Sequence, residues 1–571
     1  MDMTSGPKPS RRLVGQPLLY SISIFASLGV FLFGYDQGVM SGIITGPHFI
    51  QYFNNPSALR VGTMVAVLEI GALVTSLLSG RVGDIAGRKN TLLGGAIIFT
   101  VGGSLQTFTH GFGSMVAGRI VSGFGVGLLS TIVPIYQSEI SPPSHRGALA
   151  CVEFTGNIFG YAFSVWTDYF CSFIDSNLAW RIPLLIQCVI GAILAIGAYF
   201  LPESPRWLID TDKDKEGMKV IVDLHGGDPN DPTAIAEFQE IKDRVISERE
   251  SGEARTYAAM WRRYKQRVLL AMSSQAFAQL NGINVISYYA PRVFEEAGWK
   301  GRQAILMTGI NAIIYILSTL PPWYLVDRWG RRPILISGAF IMTLSLCATG
   351  FWLYLDVSYT PDAVVLCVII FNAAFGYSWG PIPWLYPPEI MPLTVRAKGV
   401  SLSTATNWAF NFIVGEATPY LQEVITWRLY VMHGFFCACS IVLVYFFYPE
   451  TKGVPLEEMD AVFGEDVIKH HMVASLDLPD RDIIEGDSRF DEEEGLPRPL
   501  VSKRERDAGP FTRLLSGWKQ KDRTYQPIDD REELARLNPE ADHRVEHERG
   551  TSGEGEEEYE MLGPRDVDRG Q

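Results

Sequence analysis

One aspartate, Asp36, stands inside an apolar run, Phe31-Leu-Phe-Gly-Tyr-Asp36-Gln-Gly-Val-Met-Ser-Gly42. An ionisable group at membrane depth is costly and marks a functional candidate, either a proton carrier or half of a buried ion pair. Arg119 is its natural partner. The first apolar run heads toward one face and ends near Gly42, and the fourth heads back from about Ser114, so the two residues lie at similar depth. A nearby guanidinium favours the carboxylate and low dielectric favours the neutral acid, so rearranging the pair would change its proton affinity. A permanent ion pair joining two helices is the simpler alternative. Glu69 and Glu153 also fall within apolar runs, and local hydrogen bonding is the role expected of both.

A second group of residues suits recognition of hydroxyls. Gln279, Asn281, Asn284, Tyr288 and Tyr289 share the seventh apolar run, Gly380-Pro-Ile-Pro-Trp384 lies in the tenth, and Asn407, Trp408 and Asn411 lie in the eleventh. Amides both donate and accept hydrogen bonds, and aromatic rings cover the apolar face of a polyhydroxylated ligand. Helix packing is the alternative use for each.

These residues sit on a series of apolar runs of roughly 17–25 residues, the length that crosses a bilayer core. Candidate spans are 18–41, 62–80, 91–111, 114–136, 149–170 and 181–201, then 267–290, 303–326, 333–354, 363–388, 398–421 and 428–448. An all-α membrane protein of twelve transmembrane helices in two six-helix halves follows. Arg81, Arg88, Lys89, Arg146, Arg206, Arg328, Arg331, Arg332, Arg396 and Lys398 collect in loops on one face, which the positive-inside rule makes cytoplasmic together with both termini. The expected domains are a cytoplasmic N-terminus (1–17), a first half (18–201), a cytoplasmic linker with short amphipathic helices (202–266), a second half (267–448) and an acidic tail (449–571) expected to be largely disordered. The polar start has no cleavable-signal pattern, so the first helix is expected to remain as an anchor.

Three marks recur in order. Gly80-Arg-Val-Gly-Asp84-Ile-Ala-Gly-Arg88-Lys89 returns as Asp327-Arg-Trp-Gly-Arg331-Arg332. Glu139 with Arg146 returns as Glu389 with Arg396, and Pro202-Glu203-Ser-Pro-Arg206 returns as Pro449-Glu450-Thr-Lys452-Gly453. Six spans separate each pair of marks, so the halves share orientation about an axis along the membrane normal. Cations alone would satisfy topology. The interleaved carboxylates point to a cytoplasmic gate of ion pairs that latches the halves in one state and releases them in the other, a network able to bias a two-state equilibrium.

Taken together, these motifs resemble the sugar porter family of the major facilitator superfamily over about residues 18–460. The resemblance implies alternating-access transport of a hexose-sized sugar or related polyol, with a proton or no ion as partner. It implies that Asp36 carries the proton and Arg119 tunes it. Gln279 and Asn284 would bind sugar, Trp384 would lie beside it, and Tyr288 and Tyr289 would form an outer gate. Two positions depart from the pattern: Ala278 and Phe154 stand where the family usually has glutamine. Asn157 or Asn281 would have to replace the lost amides, or the substrate differs from glucose. Sugar:proton symport is the leading reading, with facilitative uniport or a non-transporting sugar sensor as alternatives.

Composition narrows the field further. The chain of 571 residues is 47% hydrophobic and 12% aromatic. From 464 onward there are 29 Asp and Glu against 17 Lys and Arg, a net of −12 out of −14 for the whole chain, so acidity belongs to the tail and not to the substrate site. That tail suits trafficking or turnover factors. No basic stripe with interleaved aromatics speaks for nucleic acid. Seven cysteines without ligand spacing read as packing residues, and neither a metal, a cofactor nor an enzymatic nucleophile–base set is expected.

Overall fold

The computed structural model describes residues 13–140, 146–250, 256–392, 395–454 and 459–463, so the expected disordered tail lies outside the described residues from 464 onward. Helix is the regular structure throughout them. The first half comprises α1 (Gln16–Ile43), a short α2 (Pro47–Tyr52), α3 (Ala58–Ala86), α4 (Arg88–Thr107), α5 (Phe112–Ile140), α6 (Arg146–Cys171) and α7 (Leu178–Ala198). Four short helices follow: α8 (Pro205–Asp210), α9 (Asp214–Leu224), α10 (Pro232–Glu250) and α11 (Tyr257–Arg263). The second half comprises α12 (Lys265–Leu280), α13 (Ile283–Ala297), α14 (Arg302–Ser318), α15 (Pro322–Trp329), α16 (Arg331–Leu355), α17 (Thr360–Tyr377), α18 (Ile382–Ile390), α19 (Arg396–Ile425) and α20 (Arg428–Phe447), and a last turn is α21 (Met459–Val462).

Counting α12 with α13, α14 with α15 and α17 with α18 as broken spans gives twelve crossings among the described residues. By length and apolarity alone only seven qualify, or eight with α14 and α15, which bend by 43° at their break. The spans that fail are α4, α6, α12–α13 and α19. Three of those four carry the amides and carboxylates singled out above, so their low hydropathy reflects polar groups turned inward, away from lipid. Apolar side chains face outward instead: Ile24, Leu78, Ile97, Phe200, Phe340 and Tyr445 are all exposed.

Two features fix the inward-facing walls. Gly34 and Gly160 let α1 and α6 touch: a β-carbon on Gly34 would stand 1.8 Å from the Asn157 carbonyl oxygen, and one on Gly160 would stand 2.1 Å from that of Phe31. Gly282 joins α12 to α13 with φ of +91°, a left-handed conformation that favours glycine, and His433 fills the space a side chain would need. The break turns Asn284 and Tyr288 toward the first half. In the linker, Ile209, Ile221, Val222, Ala234 and Val245 form a small core of their own.

Candidate functional site: a cavity between the two halves

A cavity lies between the halves, lined by residues of both. The first half contributes Val30, Phe33 and Gln37 from α1, Ser130 and Pro134 from α5, and Glu153, Phe154, Asn157 and Ile158 from α6. The second half contributes Ala278, Gln279, Ile283, Tyr315, Phe375, Trp379, Gly380, Trp384, Asn407 and Asn411. Pro134 lies inside α5 and has no N–H to donate, which leaves the Ser130 carbonyl without its usual helical partner at the cavity wall.

The amides form small hydrogen-bonded groups. Asn284 donates to Asn411 Oδ1 at 2.6 Å and also to Gln279, while Gln37 donates to Asn284 Oδ1 at 2.6 Å. Asn407 donates to Gln275 at 2.7 Å, and Gln275 donates to the Pro383 carbonyl at 2.7 Å, fixing the loop before Trp384. Asn157 donates to the Val30 carbonyl at 3.3 Å. Asn411 Nδ2 and Asn407 Oδ1 remain buried without a protein partner. The wall thus pairs pre-oriented amides with aromatic faces from Phe33, Phe154, Trp379 and Trp384, an arrangement suited to a neutral ligand rich in hydroxyls.

Of the residues expected to bind substrate, Gln279, Trp384, Asn407, Asn411 and Asn157 line the cavity, and Asn284 lies directly behind them, bonded to Asn411. Asn281 does not line it. It caps the C-terminus of α12 at the helix break, fully buried, and its carbonyl accepts from Cys437. Trp408 sits one layer back, edge-on to Phe33 with ring centroids 4.9 Å apart. Tyr288 and Tyr289 are displaced toward the end of the bundle opposite the recurring charged motifs. There Tyr288 donates to Glu69 at 2.6 Å and Tyr289 to the Gly415 carbonyl at 2.8 Å. Thr63 bonding to Glu416 at 2.8 Å joins the halves, as Tyr288 on Glu69 does. Phe33, Gln37, Tyr315, Phe375 and Trp379 were not singled out in the sequence. Gln37 was detectable as the neighbour of Asp36, whereas the aromatics resemble ordinary core residues.

Asp36 and Arg119 meet. Arg119 Nη1 lies 2.8 Å from both carboxylate oxygens, while Nε and Nη2 donate to the Met64 and Val65 carbonyls at 3.1 and 2.7 Å. Both side chains are almost wholly buried. Neither lines the cavity, but the peptide after Asp36 carries Gln37, which does.

The recurring charges form two matching clusters at the motif end. In the first half Arg88 binds Glu139 through Nε and Nη2 at 2.9 Å each and Asp84 at 3.3 Å, while Glu203 accepts the Arg88 and Lys89 backbone N–H groups at 2.9 and 3.1 Å. In the second half Arg331 binds Glu389 at 3.1 and 2.5 Å and Asp327 at 3.4 Å, while Glu450 accepts from the Arg331 and Arg332 backbone at 2.9 Å each. Each glutamate thereby caps a helix N-terminus, where negative charge is favoured. Against the expectation of a latch across the halves, these pairs close within their own half, because Glu139 and Glu389 end helices that neighbour α4 and α16. Lys398, 3.9 Å from Asp84, is an ion pair that does join the halves. Arg206 lies in α8, Arg396 donates to the Met391 carbonyl at 3.3 Å, and Arg146 opens α6 with a side chain outside the described residues.

Comparison with known proteins agrees with this architecture. A family model described as "Sugar (and other) transporter" matches residues 22–463. The chain is 34% identical to the MFS-type transporter criB of Aspergillus cristatus over 80% of its own length and 96% of the relative's. It is 32% identical to a high-affinity glucose transporter of Kluyveromyces lactis (79% and 86% covered) and 33% identical to the sugar transporter STL1 of Saccharomyces cerevisiae (79% and 82%). The solved structure of the proton:xylose symporter XylE bound to 6-bromo-6-deoxy-D-glucose superposes with a TM-score of 0.69 at 28% identity, covering 78% of this chain and 98% of that one. The inward-open form of XylE from E. coli superposes with a TM-score of 0.64. With the twelve-span bundle, the paired charge clusters and the family match over residues 22–463 all in agreement, the chain belongs to the sugar (and other) transporter family of the major facilitator superfamily, as a multi-pass membrane transporter.

Proposed function

We propose that the protein moves a monosaccharide or related polyol across the plasma membrane by alternating access, coupled to a proton carried on Asp36. The supporting observation is the single stretch of α1 that holds Asp36 against Arg119 and, one residue on, Gln37 against Asn284 in the cavity. Protonation of Asp36 would weaken its hold on Arg119, and the resulting shift of α1 would reach the ligand-binding amides through Gln37. The relatives named for glucose and the symporter XylE agree with that chemistry.

In this reading, Gln279, Asn284, Asn407, Asn411 and Asn157 bind hydroxyls, Trp384 stacks on the sugar, and Tyr288 and Tyr289 close the outer side. The motif end, both termini, the 202–266 linker and the acidic tail face the cytoplasm, and the tail serves as a docking segment for trafficking or turnover factors. The halves span 18–201 and 267–448. The two charge clusters hold each half rigid as it rocks against the other.

Uptake of a labelled sugar and polyol panel in transport-deficient cells, at acidic and neutral outside pH, tests the proposal. Wild type is expected to accumulate one of the compounds above equilibrium, faster at acidic pH, and Asp36→Asn to lose accumulation while staying at the cell surface. Uptake that only equilibrates and ignores both pH and the substitution would instead make it a facilitator, with Asp36–Arg119 a permanent structural pair. Surface expression without uptake of any compound would favour a sensor.

A further inference from the structure

The buried acids of the spans mostly have protein partners: Asp36 has Arg119, Glu69 has Tyr288, Glu139 has Arg88 and Glu389 has Arg331. Asp168 in α6 has no hydrogen-bond partner for either oxygen but does not line the cavity, whereas Glu153, in the same helix, does. Glu153 is only 8% exposed. Its Oε1 is buried without a hydrogen-bond partner, and among the described residues it forms no ion pair. A desolvated carboxyl group with no partner is strongly unfavourable unless something outside the protein satisfies it. Its neighbours define what that partner looks like. Phe154 holds its ring against Gly380, where a β-carbon would stand 2.2 Å from the ring edge, so the aromatic is locked into the wall. Asn157 follows one helical turn after Glu153, on the same side of α6. The wall therefore offers a strong acceptor, an apolar plate and an amide in place of the glutamine that the family pattern leads one to expect at 154.

We propose that Glu153 is a substrate-binding residue: its carboxylate accepts hydrogen bonds from adjacent hydroxyls of a neutral polyhydroxy ligand whose C–H face lies on Phe154. The inference rests on the sugar or polyol reading above and narrows it. Substrates must bring a pair of neighbouring hydroxyls to this wall.

The test uses the purified full-length protein in proteoliposomes, with D-glucose, D-xylose, myo-inositol, glycerol and the single-deoxy derivatives of whichever is transported. Binding is followed by the fluorescence of the cavity tryptophans. Glu153→Gln removes the charge at constant shape and breaks no protein contact, so its thermal stability is expected to match or exceed wild type; Glu153→Leu is a second variant. Both are expected to raise KM for the transported compound about 10- to 100-fold, the scale of a lost hydrogen bond to a charged acceptor, with the maximal rate retained. One deoxy derivative is expected to show little difference between wild type and variant, identifying the hydroxyl that Glu153 holds. Unchanged KM in both variants, with wild type still transporting, would overturn the assignment and leave the transporter reading standing. Unchanged KM with lost pH dependence would make Glu153 a proton site and also overturn it. Failure of wild type to bind or move any of these compounds would remove both readings.

Discussion

Arg88 and Arg331 do the same work at equivalent places, and the two clusters give the residue scale a built-in control. Each guanidinium binds a glutamate whose side chain is 10% or 14% exposed, and each glutamate also accepts from a hydroxyl, Ser204 at 2.6 Å or Thr451 at 2.8 Å. Truncating the arginine would leave a nearly buried carboxylate without its cation, a loss of about 3–5 kcal/mol for pairs of this kind. Arg88→Ala and Arg331→Ala are therefore expected to lower the thermal stability of the detergent-purified protein by similar amounts, measured as unfolding midpoints. A large effect in one half alone would deny the equivalence. At this scale the sequence was informative where charge broke an apolar run, as at Asp36 and Glu69, whereas the local hydrogen bonding expected of Glu153 is not formed by its buried Oε1. The sequence was silent on Phe33, Tyr315 and Trp379, because an aromatic in a helix has the same pattern whether it faces a cavity or a neighbouring helix.

At the scale of elements, the broken helices matter most. α12 and α13 read in sequence as one run, and Gly282 within it could have been any helical glycine. Its φ of +91°, and the His433 side chain 2.9 Å from where a β-carbon would stand, show that the break depends on it. Strain of this sort costs about 1–3 kcal/mol. Gly282→Ala is expected to turn the start of α13, displace Asn284 from Gln279 and Asn411, and raise KM several-fold while surface expression falls only modestly. An unchanged KM would show that Asn284 does not depend on the break. The interruption of the tenth span was implied by the family resemblance of Gly380-Pro-Ile-Pro-Trp384, and the helix does break between Tyr377 and Ile382. Element ends proved less legible: the sixth span runs 178–198 instead of 181–201, since flanking residues such as Leu178 and Phe200 are equally apolar.

On the scale of the whole molecule, the apolar runs gave twelve spans and the repeat of charged motifs gave two halves of shared orientation. The arrangement between the halves was not written in either. The strongest pairs stay within each half, and Lys398 with Asp84 joins the two. The seal at the opposite end comes instead from Tyr288 on Glu69 and Thr63 on Glu416. Tyr288→Phe would leave Glu69 without its hydrogen bond and shift the population toward opening at that end. Gln37→Cys in the cavity is then expected to react several-fold faster with an impermeant thiol reagent applied from outside when combined with Tyr288→Phe. Equal labelling rates would show that the tyrosine does not hold the seal.

Proton and substrate meet through α1 in this mechanism, and the most direct test is sugar accumulation by the purified protein in sealed vesicles under an imposed inward proton gradient. Wild type is expected to concentrate its substrate, a protonophore to abolish the excess, and Asp36→Asn to exchange substrate across the membrane without ever concentrating it. Substrate that only equilibrates in wild-type vesicles, with the same rate whether or not the gradient is present, would contradict proton coupling through Asp36.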